Sequence, residues 1–160
     1  MFKNPILRAL GATALIVGGI AIWIGVRVLD PTGGVNLRPN DPELVAKGKQ
    51  VYTAECASCH GANLEGQANW QQRGPDGLLP APPHDVSGHT WHHPDAILFA
   101  LTKYGPAAIA NDPTYRTSMP IYEDVLSDAD IIAVLSYIKS TWPAEIRARH
   151  DTLNQQYADR

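Results

Sequence analysis

Both cysteines of this 160-residue chain fall within five consecutive residues, Cys56-Ala57-Ser58-Cys59-His60. No other feature limits the fold as much. Two thiols three positions apart with an imidazole beside them must end up on one side of a short stretch of backbone. In an oxidising compartment such a pair closes into a disulfide unless something else claims it. What claims it depends on where the chain resides and what the rest of the sequence supplies.

The N-terminus speaks to compartment. Lys3 and Arg8 precede an apolar run from Ala9 to Val26, broken only by Thr13. Continued through Arg27 to Leu29 the run counts 21 residues, about 31 Å as a helix and enough to cross a bilayer core. Arg27 can snorkel to the far interface, and the positive charges ahead of the run hold that end in the cytoplasm. The reading is an uncleaved anchor over residues 1–29. A cleaved signal peptide is the competitor, disfavoured because the run exceeds a normal signal core. Either way the remainder is exported, which for a bacterial chain means a single-pass inner-membrane protein with a periplasmic domain. Gly11, Ala14, Gly18, Ala21 and Gly25 recur at intervals of three and four, so one face of the anchor is built to pack closely against another helix.

After this basic start the chain is acidic, and the formal net charge of the whole is −3. A nucleic-acid binder carries the opposite sign. Any basic docking patch must be local, around Lys47, Lys49 and Lys103. Residues 30–41 are rich in Pro and Gly and read as a linker. Asp41 as N-cap and Pro42 at the first helical position open a helix running to about Cys56. Residues 61–92 read as ordered loop. Pro94-Asp95 starts a second helix with Ile97, Leu98 and Leu101 on one face, stopping at Gly105. Residues 107–120 read as loop. Ser127-x-x-Asp130 is a capping box before a third helix, whose Ile131, Val134, Leu135 and Ile138 form a stripe. Trp142-Pro143 ends it, and residues 143–160 form a polar tail, a short or frayed helix. No strand pattern appears.

Four uses of Cys56-x-x-Cys59-His60 compete. A thioredoxin-like redox pair needs a βαβ setting that this chain does not offer. A structural disulfide leaves His60 unexplained. A zinc site needs further ligands, and His84, His89, His92 and His93 are candidates, so a zinc-binding interaction module stays open. The fourth use is covalent haem c, for which this spacing is the specific one. Each thiol adds to a vinyl group and the histidine reaches the iron. A sixth ligand is then required. Apart from the initiator, Met119 is the one methionine. It lies in a proline-bounded loop before the last helix, where it can approach the opposite face.

With these residues placed, residues 42–142 resemble the class I c-type cytochromes. The resemblance rests on the Cys56–His60 motif, Gly61 after it, and Met119-Pro120 ahead of a terminal helix beginning Leu-Ser-Asp. It also rests on Gly48 and Tyr52, four apart before the first cysteine, facing Val134 and Tyr137 where the first and last helices cross. The resemblance implies an all-α cytochrome c fold, three main helices and ordered loops around one covalent haem held by Cys56 and Cys59, with His60 and Met119 as axial ligands. It implies a proline carbonyl holding the second ring nitrogen of His60, with Gly74-Pro75 and the prolines of residues 80–83 as candidates. The histidines of "HDVSGHTWHH" read as a flanking loop, with a second metal site as the rival.

The implied function is one-electron transfer between redox partner proteins or within a membrane respiratory or photosynthetic complex, not enzymatic catalysis by the chain alone. The alternative is a haem-based sensor, which needs a labile sixth position.

Overall fold

The computed structural model describes residues 34–110, 112 and 114–160. The expected anchor and its small-residue face lie outside them. Among the described residues no helix is long and apolar enough to cross a membrane, and no strand occurs. The described residues form six α-helices: α1 (Pro42–Val51), α2 (Ala57–His60), α3 (Asp95–Tyr104), α4 (Pro106–Ala110), α5 (Asp128–Ser140) and α6 (Ala144–Ala158). A π-helical turn, Tyr52–Cys56, joins α1 to α2, and a 3₁₀ turn, Thr90–His92, precedes α3.

The three expected helices start where their caps put them. Asp41 accepts a 3.1 Å hydrogen bond from the Leu44 amide, with Pro42 in the first turn. Ser127 and Asp130 close a capping box through 3.2 Å and 3.3 Å bonds to each other's amides. Gly105 ends α3 in a left-handed conformation, φ +84°, which glycine adopts without a Cβ penalty.

The core is the crossing of α1 on α5. Gly48 lies against the backbone of α5: a Cβ there would run into the Ala133 carbonyl and come 2.8 Å from Tyr137 Cβ. Only a hydrogen fits, so the glycine sets how closely the helices approach. The expected opposing pair is half met. Tyr137 faces Gly48 and packs its ring 5.5 Å from that of Tyr52, but Ala133, not Val134, supplies the backbone. The stripe Ile131, Val134, Leu135 and Ile138 is buried as expected, and Ile132, Ala133, Ser136 and Lys139 are buried as well. A helix buried nearly all round is central, not superficial.

Four features differ from the sequence reading. The first helix loses its α register at Tyr52, where the Ala57 amide bonds to the Tyr52 carbonyl and one residue is added to the turn. Residues 107–110 of the expected loop belong to α4. Residues 35–41, linker by composition, lie on the domain: Leu37 is 3 % exposed, its amide donates 2.9 Å to Asp95, and the Arg38 amide donates 2.9 Å to Ser136. The polar tail forms the 15-residue helix α6, docked through polar groups. The Asp95 amide donates to Asn154 at 2.7 Å, Lys139 pairs with Asp151 at 2.7 Å, and the His150 ring meets the His93 carbonyl at 2.8 Å. Hydrophobic periodicity is blind to a helix held this way.

Candidate haem-binding site

The motif occupies the π turn and α2. Cys56 is half-buried and Cys59 exposed, both as free thiols. Burial, then the Glu55 carboxylate and Cys59, push the Cys56 thiol up to about 11. That is opposite to the depressed value on which disulfide exchange relies. The π turn follows α1 directly and re-aims what comes after it, a common use of π bulges at functional sites.

His60 is buried at the end of α2. Its Nδ1 lies 2.8 Å from the carbonyl oxygen of Pro82. A carbonyl only accepts, so Nδ1 carries the proton and Nε2 keeps its lone pair for a metal. Of the candidate prolines the structure selects Pro82, not Pro75. This arrangement, a ligand ring whose second nitrogen is held by backbone, fixes tautomer and orientation together. Burial lowers the pKa of His60, partly opposed by the Pro82 bond, which also favours the neutral, ligating form.

The walls around His60 come from Tyr52, whose spacing marked it, and from His84, whose place beside His60 no local spacing marks. His84 stacks on its ring at 4.0 Å between centroids and 21° between planes. His84 is itself fixed on three sides. Its Nδ1 is 2.8 Å from Thr90 Oγ1, its amide donates 2.8 Å to the Leu64 carbonyl, and its own carbonyl accepts 2.8 Å from Trp142 Nε1. Burial, and then the neighbouring His60 and His89 rings, hold His84 well below the ordinary histidine pKa, so it packs as a neutral ring. Leu64 presents that carbonyl from a left-handed backbone, φ +68°, a conformation costing a branched residue about 1 kcal/mol or more. Tyr52 secures the same end of α2, its hydroxyl donating 2.8 Å to the Gly61 carbonyl and 3.3 Å to that of His60.

Met119 lies on the segment before α5, partly exposed, its amide bonded to Thr117 Oγ1 at 3.0 Å. Three residues on, the buried Tyr122 donates its hydroxyl to the Glu55 carbonyl at 2.8 Å. That bond ties the methionine segment to the residue before Cys56. Burial and the nearby Cys56 push the Tyr122 pKa up to about 12, so the hydroxyl stays a donor. The structure joins Cys56, Cys59 and His60 through one turn of backbone and joins Met119 to them through Tyr122.

The residues present fit a haem. The donor set is two adjacent thiols, one imidazole with a free Nε2 and one thioether. The Trp91 Nε1, next to Thr90, is a buried donor without a partner among the described residues, suited to a carboxylate of the porphyrin. The other histidines pack on aromatic rings and on one another, His89 meeting His93 edge to face at 5.4 Å. His89 stacks on Trp70 at 5.3 Å and His92 on Trp91 at 3.7 Å. Among the described residues no three His, Cys, Asp or Glu side chains converge to hold a metal ion, so neither the zinc arrangement nor the second metal site has a donor cluster.

The comparisons with known proteins agree with this geometry. Over 133 residues the chain is 40 % identical to the cytochrome bc1 complex cytochrome c subunit of Corynebacterium diphtheriae, covering 82 % of this chain and 41 % of that protein. Its counterpart in Corynebacterium efficiens is 36 % identical over 66 residues, or 41 % of this chain and 21 % of the relative. The FixP subunit of the cbb3-type cytochrome c oxidase of Sinorhizobium medicae is 57 % identical over 28 residues, 18 % of this chain and 10 % of its own length. The chain thus spans less than half the length of the curated relatives it matches. No solved structure matches it significantly. The cytochrome c family model matches residues 45–142, and the chain belongs to the cytochrome c family.

Proposed function

We propose that the chain carries single electrons through one covalent haem c, attached by Cys56 and Cys59, with the iron between His60 and Met119. Residues 1–29 hold it in a bacterial inner membrane, with the haem domain in the periplasm. There it serves as a subunit or close partner of a membrane respiratory complex, a reading supported by relatives named as subunits of a cytochrome bc1 complex and of a cbb3-type oxidase. The observation that carries the reading is the His60–Pro82 bond next to Cys56-x-x-Cys59: it frees one ring nitrogen and aims it.

Bound haem supplies the Fe(II)/Fe(III) couple, and a thioether ligand raises its potential relative to a second histidine. The chain's own residues do the rest. His84, Tyr52 and Pro82 hold the His60 ring still, so neither oxidation state has to reorient it. Tyr122 holds the Met119 segment to the motif.

Denaturation in acid acetone tests the attachment: the red colour stays with the precipitated protein, whereas haem passing into the solvent overturns the proposal. Met119→Ala should lower the reduction potential and let the reduced protein bind carbon monoxide. A wild type that already binds it at neutral pH moves the function to a ligand sensor.

A further inference from the structure

We propose that residues 121–125 form a docking ledge for a redox protein whose own contact surface is apolar at its centre and fringed by lysine and arginine. The inference rests on the electron-carrier reading above and names the kind of partner that reading requires.

Ile121 and Val125 are 60 % and 61 % exposed, unusual for aliphatic side chains on a well-ordered turn. The turn does not yield easily. Its central Tyr122 is buried and bonded to the Glu55 carbonyl, and the Val125 and Leu126 amides both bond back to the Tyr122 carbonyl, at 3.1 Å and 3.0 Å. Ile121 leans over Gly105, where a Cβ would come 3.1 Å from its Cγ1. Beside Gly105 stands Tyr104, itself 41 % exposed. Apolar surface held open in this way, with a polar border, is characteristic of an interaction site.

The border sets the sign of the partner. Glu123 and Asp124 lie between the two aliphatic residues, are exposed, and enter no ion pair among the described residues. The cations expected to form a basic patch are spent: Lys103 pairs with Asp128 at 2.7 Å and Lys47 with Asp130 at 2.7 Å. Lys49 alone of the three remains without such a pair among the described residues. Two carboxylates without an ion pair among the described residues, set between exposed aliphatic side chains, select a basic protein and repel an anionic lipid surface. Tyr122 places the ledge against the residue preceding Cys56, so a partner seated there sits beside the haem attachment, where electron transfer over a short path needs it.

The test uses the full-length, haem-loaded protein and, as probe, a basic mono-haem cytochrome c in stopped-flow at low and high ionic strength. Glu123→Lys with Asp124→Lys should slow oxidation by the probe about tenfold at low ionic strength and flatten its salt dependence. Ile121→Ser with Val125→Ser should slow it about threefold at both salt levels, because an apolar contact is not screened. Visible spectrum and reduction potential stay at the parental values. Parental rates for both double variants overturn the ledge. Surface plasmon resonance on the immobilised probe reads the same contact without needing haem in this chain. Affinity weakened about tenfold by the charge reversal supports the ledge, and unchanged affinity overturns it. A parent chain without covalent haem overturns the electron-carrier reading alone, and the binding measurement then decides the ledge.

Discussion

The α1–α5 crossing and the α3–α6 clamp stabilise the domain by opposite means. At the crossing, backbones meet at Gly48 and Ala133, and Tyr52, Ile131, Val134, Leu135 and Ile138 are buried around them. At the clamp, polar and charged groups do the joining, with α5 contributing Lys139. Asp95 accepts from the Leu37 amide and has Lys139 Nζ at 3.7 Å and His150 Nδ1 at 3.6 Å, all four groups buried. Apolar burial is additive and forgiving, since the loss of one methylene removes about 0.8 kcal/mol. A buried charge is neither. Removing one partner strands the others in a medium that cannot solvate them. The two regions should therefore fail differently.

The sharpest break is Asp95→Ala. It leaves the Leu37 amide unpaired and takes from Lys139 its buried counter-ion, with only the exposed Asp151 remaining. A loss of about 3–5 kcal/mol is expected, read as a lowered urea midpoint with the haem spectrum kept until α6 detaches. A loss below 1 kcal/mol would show that water reaches the clamp. At the crossing, Gly48→Val forces a side chain into the Ala133 carbonyl. It should cost about 1–3 kcal/mol and, unlike Asp95→Ala, disturb the Tyr52–Tyr137 pair and hence the near-ultraviolet aromatic signal. A variant as stable as the parent would mean that the helices can part without penalty.

The smallest effect separates the regions by pH. Burial first, then the Lys139 ammonium, hold His150 below the ordinary histidine pKa, against the opposing pull of Asp95. The unfolded chain therefore takes up this proton first. The contribution of His150 is fully present above about pH 6.5 and falls as the solution is acidified toward the lower folded value. His150→Gln should flatten the acid side of the stability curve between neutrality and pH 5 by a fraction of the total. An unchanged slope would put the acid sensitivity on the histidines near the motif.

The same contrast explains what could be read from the chain. Caps and crossings obey spacing: Asp41-Pro42, Ser127-x-x-Asp130 and Gly48 with Tyr52 each announce their role within a few residues. So does Cys56-x-x-Cys59-His60. The supports of His60 do not. Pro82, one of several equivalent prolines, is chosen by a loop path that depends on the left-handed Leu64. His84 is chosen by the same path, and neither shows a period. Tyr122 is visible only as an aromatic near Met119. The π turn at Tyr52–Cys56 changes no side-chain pattern that a helix reading would detect. The helix α6 is polar by composition, and two of its partners lie far off in sequence: Asn154 bonds Asp95 at a separation of 59 and His150 bonds His93 at 57. Long-range polar pairs carry no local signature, so a sequence reader sees a tail.

Asp95 also gives the domain a mechanical character. The Leu37 amide, the start of α3 and the C-terminal helix all converge on its carboxylate or its own backbone. A pull on the chain ahead of residue 35 enters the domain at Leu37 and is passed to α3 and α6. Helix α5 shares it through the Arg38–Ser136 bond and Lys139, so three helices brace the entry point together.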